Sequence, residues 1–166
     1  GIPGRRRLQD GDLVKLDFGV IFGGFHGDSA VTLPVGEVDE ESRNLLETTR
    51  RSLYAGIEAL RPGSRLGDVG SAVQESVERE GFSVVRDFVG HGIGRLLHEP
   101  PQLPNFGRPG RGQRLKAGMV VAIEPMVNSG GPEVQMRSDG WTAATADGSR
   151  SAHFEHTVAI TENGPE

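Results

Sequence analysis

The sequence has no cysteine, which excludes disulfide bridges, thiolate-bound zinc and a thiol nucleophile, and which fits a reducing compartment. It also lacks long apolar runs. The longest, such as the stretch from Met119 to Ile123, fall far short of the roughly 20 residues a helix needs to cross a bilayer. An excess of basic charge is missing as well. Lys plus Arg is 18 and Asp plus Glu 23, and the net charge of −5 argues against nucleic acid as the main partner and against specific DNA binding. No repeat of solenoid period and no low-complexity linker breaks the chain. A G-x-S-x-G nucleophile elbow is lacking, and the glycines after Val89 fail the G-x-G-x-x-G dinucleotide spacing at Arg95. What remains is a soluble, cytoplasmic protein with no membrane partner. Its 166 residues are read as a single domain, 1–166, long enough to bury a core.

Against those absences, one segment carries too much. Residues 14–31, VKLDFGVIFGGFHGDSAV, read as a β-hairpin turning on Gly23-Gly24, a dipeptide able to adopt the positive φ angles of a tight turn. A two-residue loop there sets Phe22 opposite Phe25, Gly19 opposite Asp28 and Ala30 opposite Asp17. The two aspartates become diagonal neighbours on one face, roughly 7–8 Å apart at the backbone. Asp disfavours strands, and two like charges so close repel. Either both face water on an edge hairpin, or a cation lies between them.

Downstream, residues 36–60 place Leu45, Leu46, Leu53, Ile57 and Leu60 at helical spacing, with Asp39 or Glu40 at the start and Pro62-Gly63 as the stop. A second helix fits Arg65 to Gly81, with Leu66, Val69, Val73 and Val77 on one face and Gly81 as its C-cap. From Met119 onward short strands alternate with turn signals, including a hairpin turn expected at Asp147-Gly148. The pattern predicts an α+β fold with helices on one face of a mostly antiparallel sheet.

Three further segments repeat the anomaly. The stretch DFVGHGIGRLLHEPP holds His91 and His98 in a glycine-rich turn; GMVVAIEPMV places Glu124 in a strand; SAHFEHTVAI places Glu155 in another, on the face of His153 and Thr157. Each alone has an ordinary explanation, a histidine donating a structural hydrogen bond or a glutamate facing water. Together, four carboxylates in apolar β sequence and one imidazole match a two-metal site, since four negative charges balance two divalent cations.

The stretches GHGIGRLLHEPPQLPNFG, LKAGMVVAIEPMV and DGWTAATADGSRSAHFEHTVAIT resemble, in order and spacing, the signature blocks of type I methionine aminopeptidases, and LDFGVIFGGFHGD resembles their first ligand hairpin. The resemblance covers nearly the whole chain and implies the pita-bread fold. Prolidases and aminopeptidases P share the ligand set; IEPM and DGWT followed by FEHT are closer to the methionine enzymes. The resemblance further implies two divalent ions, of cobalt, manganese, iron or zinc, with Asp17 on one, Asp28 and Glu155 bridging, and His91 and Glu124 completing the other. Glu124 would accept and shuttle the proton of an activated water. His98 would stabilise the tetrahedral intermediate, and Trp141 and Leu97 would help form the methionine pocket. Substrates would be N-terminal Met peptides and nascent chains, with a transient ribosome contact.

Two departures stand out. Leu97 replaces an aromatic pocket residue of several relatives, and His153 a glutamine, where it either hydrogen-bonds a ligand or sits on the surface. A rival reading is a catalytically inactive pita-bread domain that binds protein or RNA through Arg5-Arg6-Arg7 or through Arg108, Arg111 and Arg114. The opening GIPG resembles the end of the family's HGIP motif, whose histidine would fall before Gly1. The expectation is therefore a catalytic domain incomplete at its N-terminus, with slight activity and with apolar surface left bare.

Overall fold

A computed structural model describes residues 4–166. Strands β1 (Leu13–Phe22) and β2 (Phe25–Pro34) form the expected hairpin, with φ at +59° and +82° for Gly23 and Gly24. Both angles lie in the left-handed region that a type I′ turn requires and that glycine adopts without strain. The pairing is Phe22 with Phe25, Gly19 with Asp28 and Asp17 with Ala30, so both aspartates share one face. On the opposite face Leu16, Phe18, Val20 and Phe22 are 44–89% exposed, and β1 is the edge of its sheet.

Helix α1 (Glu40–Ala59) starts where the Asp39 carboxylate accepts the Ser42 N–H at 2.8 Å, capping an otherwise unpaired donor. It ends before the Pro62-Gly63 turn. Its buried stripe of Leu45, Thr49, Ser52, Leu53 and Gly56 lies on the sheet and on α2 (Leu66–Glu78). Gly56 is the point of closest approach: a Cβ there would collide with Ile123 Cδ1 and lie 2.7 Å from Val73 Cγ2. In α2 the Asp68 carboxylate accepts the Arg65 N–H at 2.7 Å, and Val69, Val73 and Val77 are buried. Gly81 is not the C-cap. The helix closes at Arg79, and the tightened turn that follows, with Gly81 N–H on the Glu78 carbonyl at 3.0 Å, delays the positive φ by two residues.

The other strands are short: β3 (Ser83–Val84), β4 (Gly90–Gly92), β5 (Glu99–Leu103), β6 (Val120–Ile123), β7 (Met126–Asn128), β8 (Val134–Met136), β9 (Ala143–Thr145), β10 (Ser151–His153), β11 (Glu155–Thr161) and β12 (Gly164–Pro165). The main sheet runs β1-β2-β11-β6-β4-β5, with β12 on β11; β10-β7-β3 and β8-β9 make two smaller sheets. Among the described residues every strand pairing is antiparallel. Val121, Ile123, Val158 and Ile160 face the helices, packing with Leu53, Val69 and Val73. This is the α+β, helices-on-one-face arrangement that the sequence predicts.

Two expectations change. The hairpin turn lies at residues 137–142, between β8 and β9, and not at Asp147-Gly148: after that glycine the chain leaves β9 and β10 pairs with β7. Glu124 lies outside the strands, in the break after β6, whereas Glu155 stands in a strand as expected, as the first residue of β11. Glu124-Pro125 separates β6 from β7, and Phe154 separates β10 from β11. Because β6 pairs with β11 and β7 with β10, two adjacent strands pass from one sheet to the next and break side by side. Pro125 has no N–H to continue a ladder. Its carbonyl still takes the Phe154 N–H at 3.4 Å, and the Glu124 carbonyl accepts from buried Asn105 at 3.0 Å.

Candidate metal centre

The site grows from the register of five paired strands. Ala30 pairs with Asp17 on one side and Glu155 on the other, so these three residues form a row across β1, β2 and β11. Ala122 pairs with both Thr157 and His91, which makes a second row across β11, β6 and β4. His91 thus belongs to a strand and not to the glycine turn expected for it. The two rows lie on the sheet face away from the helices, since residues of β11 alternate and His156 points to the helix side, its ring 5.7 Å from that of Tyr54. Small Ala30 and Ala122 at the row centres leave space in front of the sheet. Thr157 locks the rows together, its hydroxyl accepting the Asp28 N–H at 2.8 Å and donating to the Asp28 carbonyl at 2.9 Å.

Oxygen and nitrogen atoms of Asp28, His91 and Glu155 lie within 4.8 Å of one another, a spacing able to hold a metal ion. Glu124 enters from the strand break, its Oε1 3.4 Å from His91 Nε2, while Asp28 Oδ2 is 3.9 Å from the same nitrogen. Asp17 stands at the rim, with its side chain 56% exposed; those of Asp28, Glu124 and His91 are nearly buried. Glu155 is 2% exposed. Burial first, then the charges of Glu124, Asp28 and Asp17, push its carboxyl up to about 9 from an ordinary 4.5.

The donor set fits a cation. His91 Nδ1 lies 2.9 Å from the Gly92 carbonyl oxygen, which can only accept, so Nδ1 carries a hydrogen and Nε2 is the ring nitrogen left for a metal. That nitrogen faces the Asp28 and Glu124 carboxylates. A ligating imidazole held by its other N–H is the usual arrangement.

The remaining predicted residues are placed less uniformly. His98, exposed, lies beside His91 with ring centroids 4.2 Å apart. Leu97 covers Gly19 next to Asp28: a Cβ on that glycine would meet Leu97 Cδ1 at 3.4 Å and Asp28 Oδ1 at 3.8 Å. Trp141 is 65% exposed on the turn between β8 and β9, a two-stranded sheet separate from the one carrying the carboxylates. His153 is not a surface residue. It is 6% exposed and lies 3.6 Å from Glu124 Oε2. Its face was legible from its spacing to Glu155, but its burial was not. Of the arginines, Arg6 pairs with Asp12 at 2.7 Å and Arg114 donates to the Gly63 carbonyl at 2.9 Å. Apart from Gly4, the GIPG opening lies outside the described residues.

The sequence model of metallopeptidase family M24 matches residues 1–162. The chain belongs to this family. Among M24-like relatives, methionine aminopeptidase 1 of Bacillus subtilis is 54% identical over 99% of this chain and 66% of its own length. Methionine aminopeptidase of Clostridium perfringens is 57% identical over the whole chain and 67% of its own length. The crystal structure of methionine aminopeptidase from Rickettsia prowazekii superposes with a TM-score of 0.98 at 44% identity, over all of this chain and 67% of that one. The chain therefore spans about two thirds of the length of these M24 proteins, and its fold is the pita-bread fold that the sequence resemblance implies. Among the described residues, no helix is long and apolar enough to cross a membrane.

Proposed function

We propose that this chain carries the metal-dependent active site of a methionyl aminopeptidase, which removes the initiator methionine from peptides and nascent proteins. The observation that supports this reading best is the gathering of Asp17, Asp28, His91, Glu124 and Glu155 on one sheet face. Similarity to proteins named methionine aminopeptidase supports the substrate. These five residues would hold two divalent ions, and a mostly oxygen set with an imidazole suits manganese, iron, cobalt or zinc. Such ions supply positive charge that polarises a carbonyl and acidifies a nearby water.

The chain's own groups do the rest. A carboxylate oxygen of Glu124, held at the strand break, accepts the proton of the attacking water and returns it to the leaving amine. His98, exposed beside His91, donates to the substrate carbonyl oxygen as that oxygen gains charge. Asp17 at the rim faces the free α-amine, so only the first residue of a peptide fits. Leu97 and Trp141 shape the methionine subsite. Acting on nascent chains would bring the protein transiently to the ribosome, in the cytoplasm.

The test uses a Met-Ala-Ser peptide with protein in stoichiometric excess, so that slow turnover registers, and mass spectrometry as the readout. Methionine should be released with added divalent metal and not with chelator. A folded chain that binds the metals yet releases nothing from this peptide would overturn the aminopeptidase reading.

A further inference from the structure

Beside the five carboxylate and imidazole side chains of the proposed centre lies His153, which that scheme leaves without a task. Its backbone is fixed from both sides by Thr32, whose hydroxyl donates to the His153 carbonyl at 2.7 Å and accepts the His153 N–H at 2.8 Å. The ring is thereby held at the last position of β10, one residue before the chain breaks at Phe154 and enters β11 at Glu155. The side chain is 8% exposed, and Nε2 is buried with no hydrogen-bond partner among the described residues. A buried ring nitrogen with nothing to bind is costly in a folded protein, and its surroundings say what would satisfy it. Nε2 is 3.6 Å from Glu124 Oε2, and Nδ1 is 4.0 Å from Asp17 Oδ2.

His91 offers the comparison. There Nδ1–H is held by an oxygen and Nε2 is aimed at Glu124 Oε1. At His153 Nδ1 again faces an oxygen, and Nε2 is aimed at the other oxygen of the same carboxylate. Glu124 thus stands between two imidazole Nε2 atoms, one per oxygen.

We infer that His153 is a sixth ligand of the centre, its Nε2 and Glu124 Oε2 sharing a divalent cation, with Asp17 Oδ2 standing 4.0 Å from Nδ1 on the other side of the ring. The inference rests on the metal-centre reading above and extends it. A second imidazole softens the donor set, so the pair of sites should prefer cobalt or zinc over manganese more strongly than one imidazole among carboxylates would.

The experiment is calorimetric titration of the metal-free chain with Co²⁺, Zn²⁺ and Mn²⁺, repeated on H153Q, which retains hydrogen bonding and loses the strong nitrogen ligand. H153Q should bind Co²⁺ and Zn²⁺ about tenfold or more weakly, with a smaller loss for Mn²⁺. Proton NMR of the Co²⁺-loaded wild-type chain supplies a reading that needs no variant to fold: two exchangeable, strongly shifted imidazole N–H signals should appear, for His91 and His153. One such signal, or equal affinities for all three ions in H153Q and wild type, would overturn the sixth-ligand assignment and leave the metal centre standing. Absence of binding by the wild-type chain would remove both.

Discussion

Replacing Glu155 by Gln should stabilise the metal-free chain and abolish its stabilisation by metal. Glu155 is 2% exposed beside three other carboxylates, and its carboxyl is pushed up to about 9 from an ordinary 4.5. Between these values the folded state keeps a proton that the unfolded state releases, so stability falls as pH rises through that window. At pH 7 the window has been crossed by about 2.5 pH units, which at 1.36 kcal/mol per unit is about 3 kcal/mol of stability lost. Gln has no proton to lose and escapes this loss. At pH 4 variant and parent then differ only by packing; by pH 7 the variant should have gained about 3 kcal/mol more, or about 6–12 °C in melting temperature for a chain of this size. Adding metal should reverse the order, because a cation that binds only the folded wild-type chain at a thousand times its Kd contributes about 4.1 kcal/mol, more than the variant's advantage. The assay is thermal unfolding from pH 4 to pH 9 in chelator and again with Co²⁺ or Mn²⁺. Parallel pH profiles for the two proteins in chelator would refute the reasoning, since they would mean that Glu155 is ionised in the folded state without a partner.

Two further outcomes are expected. Asp28→Asn should lose most of the metal-dependent rise in melting temperature while remaining folded in chelator; if chelator and metal leave the wild-type melting temperature unchanged, the cluster is not a metal centre. Gly56→Ala gains helix propensity of about 1 kcal/mol, but its Cβ would collide with Ile123 and crowd Val73, so a net loss of about 1–2 kcal/mol should appear in urea unfolding; a more stable variant would show that α1 can move off the sheet freely.

The sequence by itself determined whatever is written in local spacing. Gly23-Gly24 fixed the turn, the two-residue period then fixed the register, and Asp17 and Asp28 could only fall on one face. The apolar stripes marked both helices, Pro62-Gly63 bounded the first, and carboxylates set in apolar β sequence marked Asp17, Asp28, Glu124 and Glu155. The tertiary structure alone decided what depends on partners distant in the chain. Asp147-Gly148 has the chemistry of a hairpin turn, yet β10 pairs with β7 because Ala152 is buried there in an apolar cluster with Leu45, Val77, Val84 and Val127. The dipeptide Glu124-Pro125 advertises a break, but not that Phe154 interrupts the neighbouring strand at the same level, which is what brings Glu124, His153 and Glu155 to one cleft. His153 illustrates the limit. Its side of the strand follows from a period of two within one segment, whereas its burial and its two carboxylate neighbours come from β1 and from the β6–β7 break, 136 and 29 residues away. Local periodicity sets the direction in which a side chain points; which groups meet it is set by the pairing of strands, which is non-local.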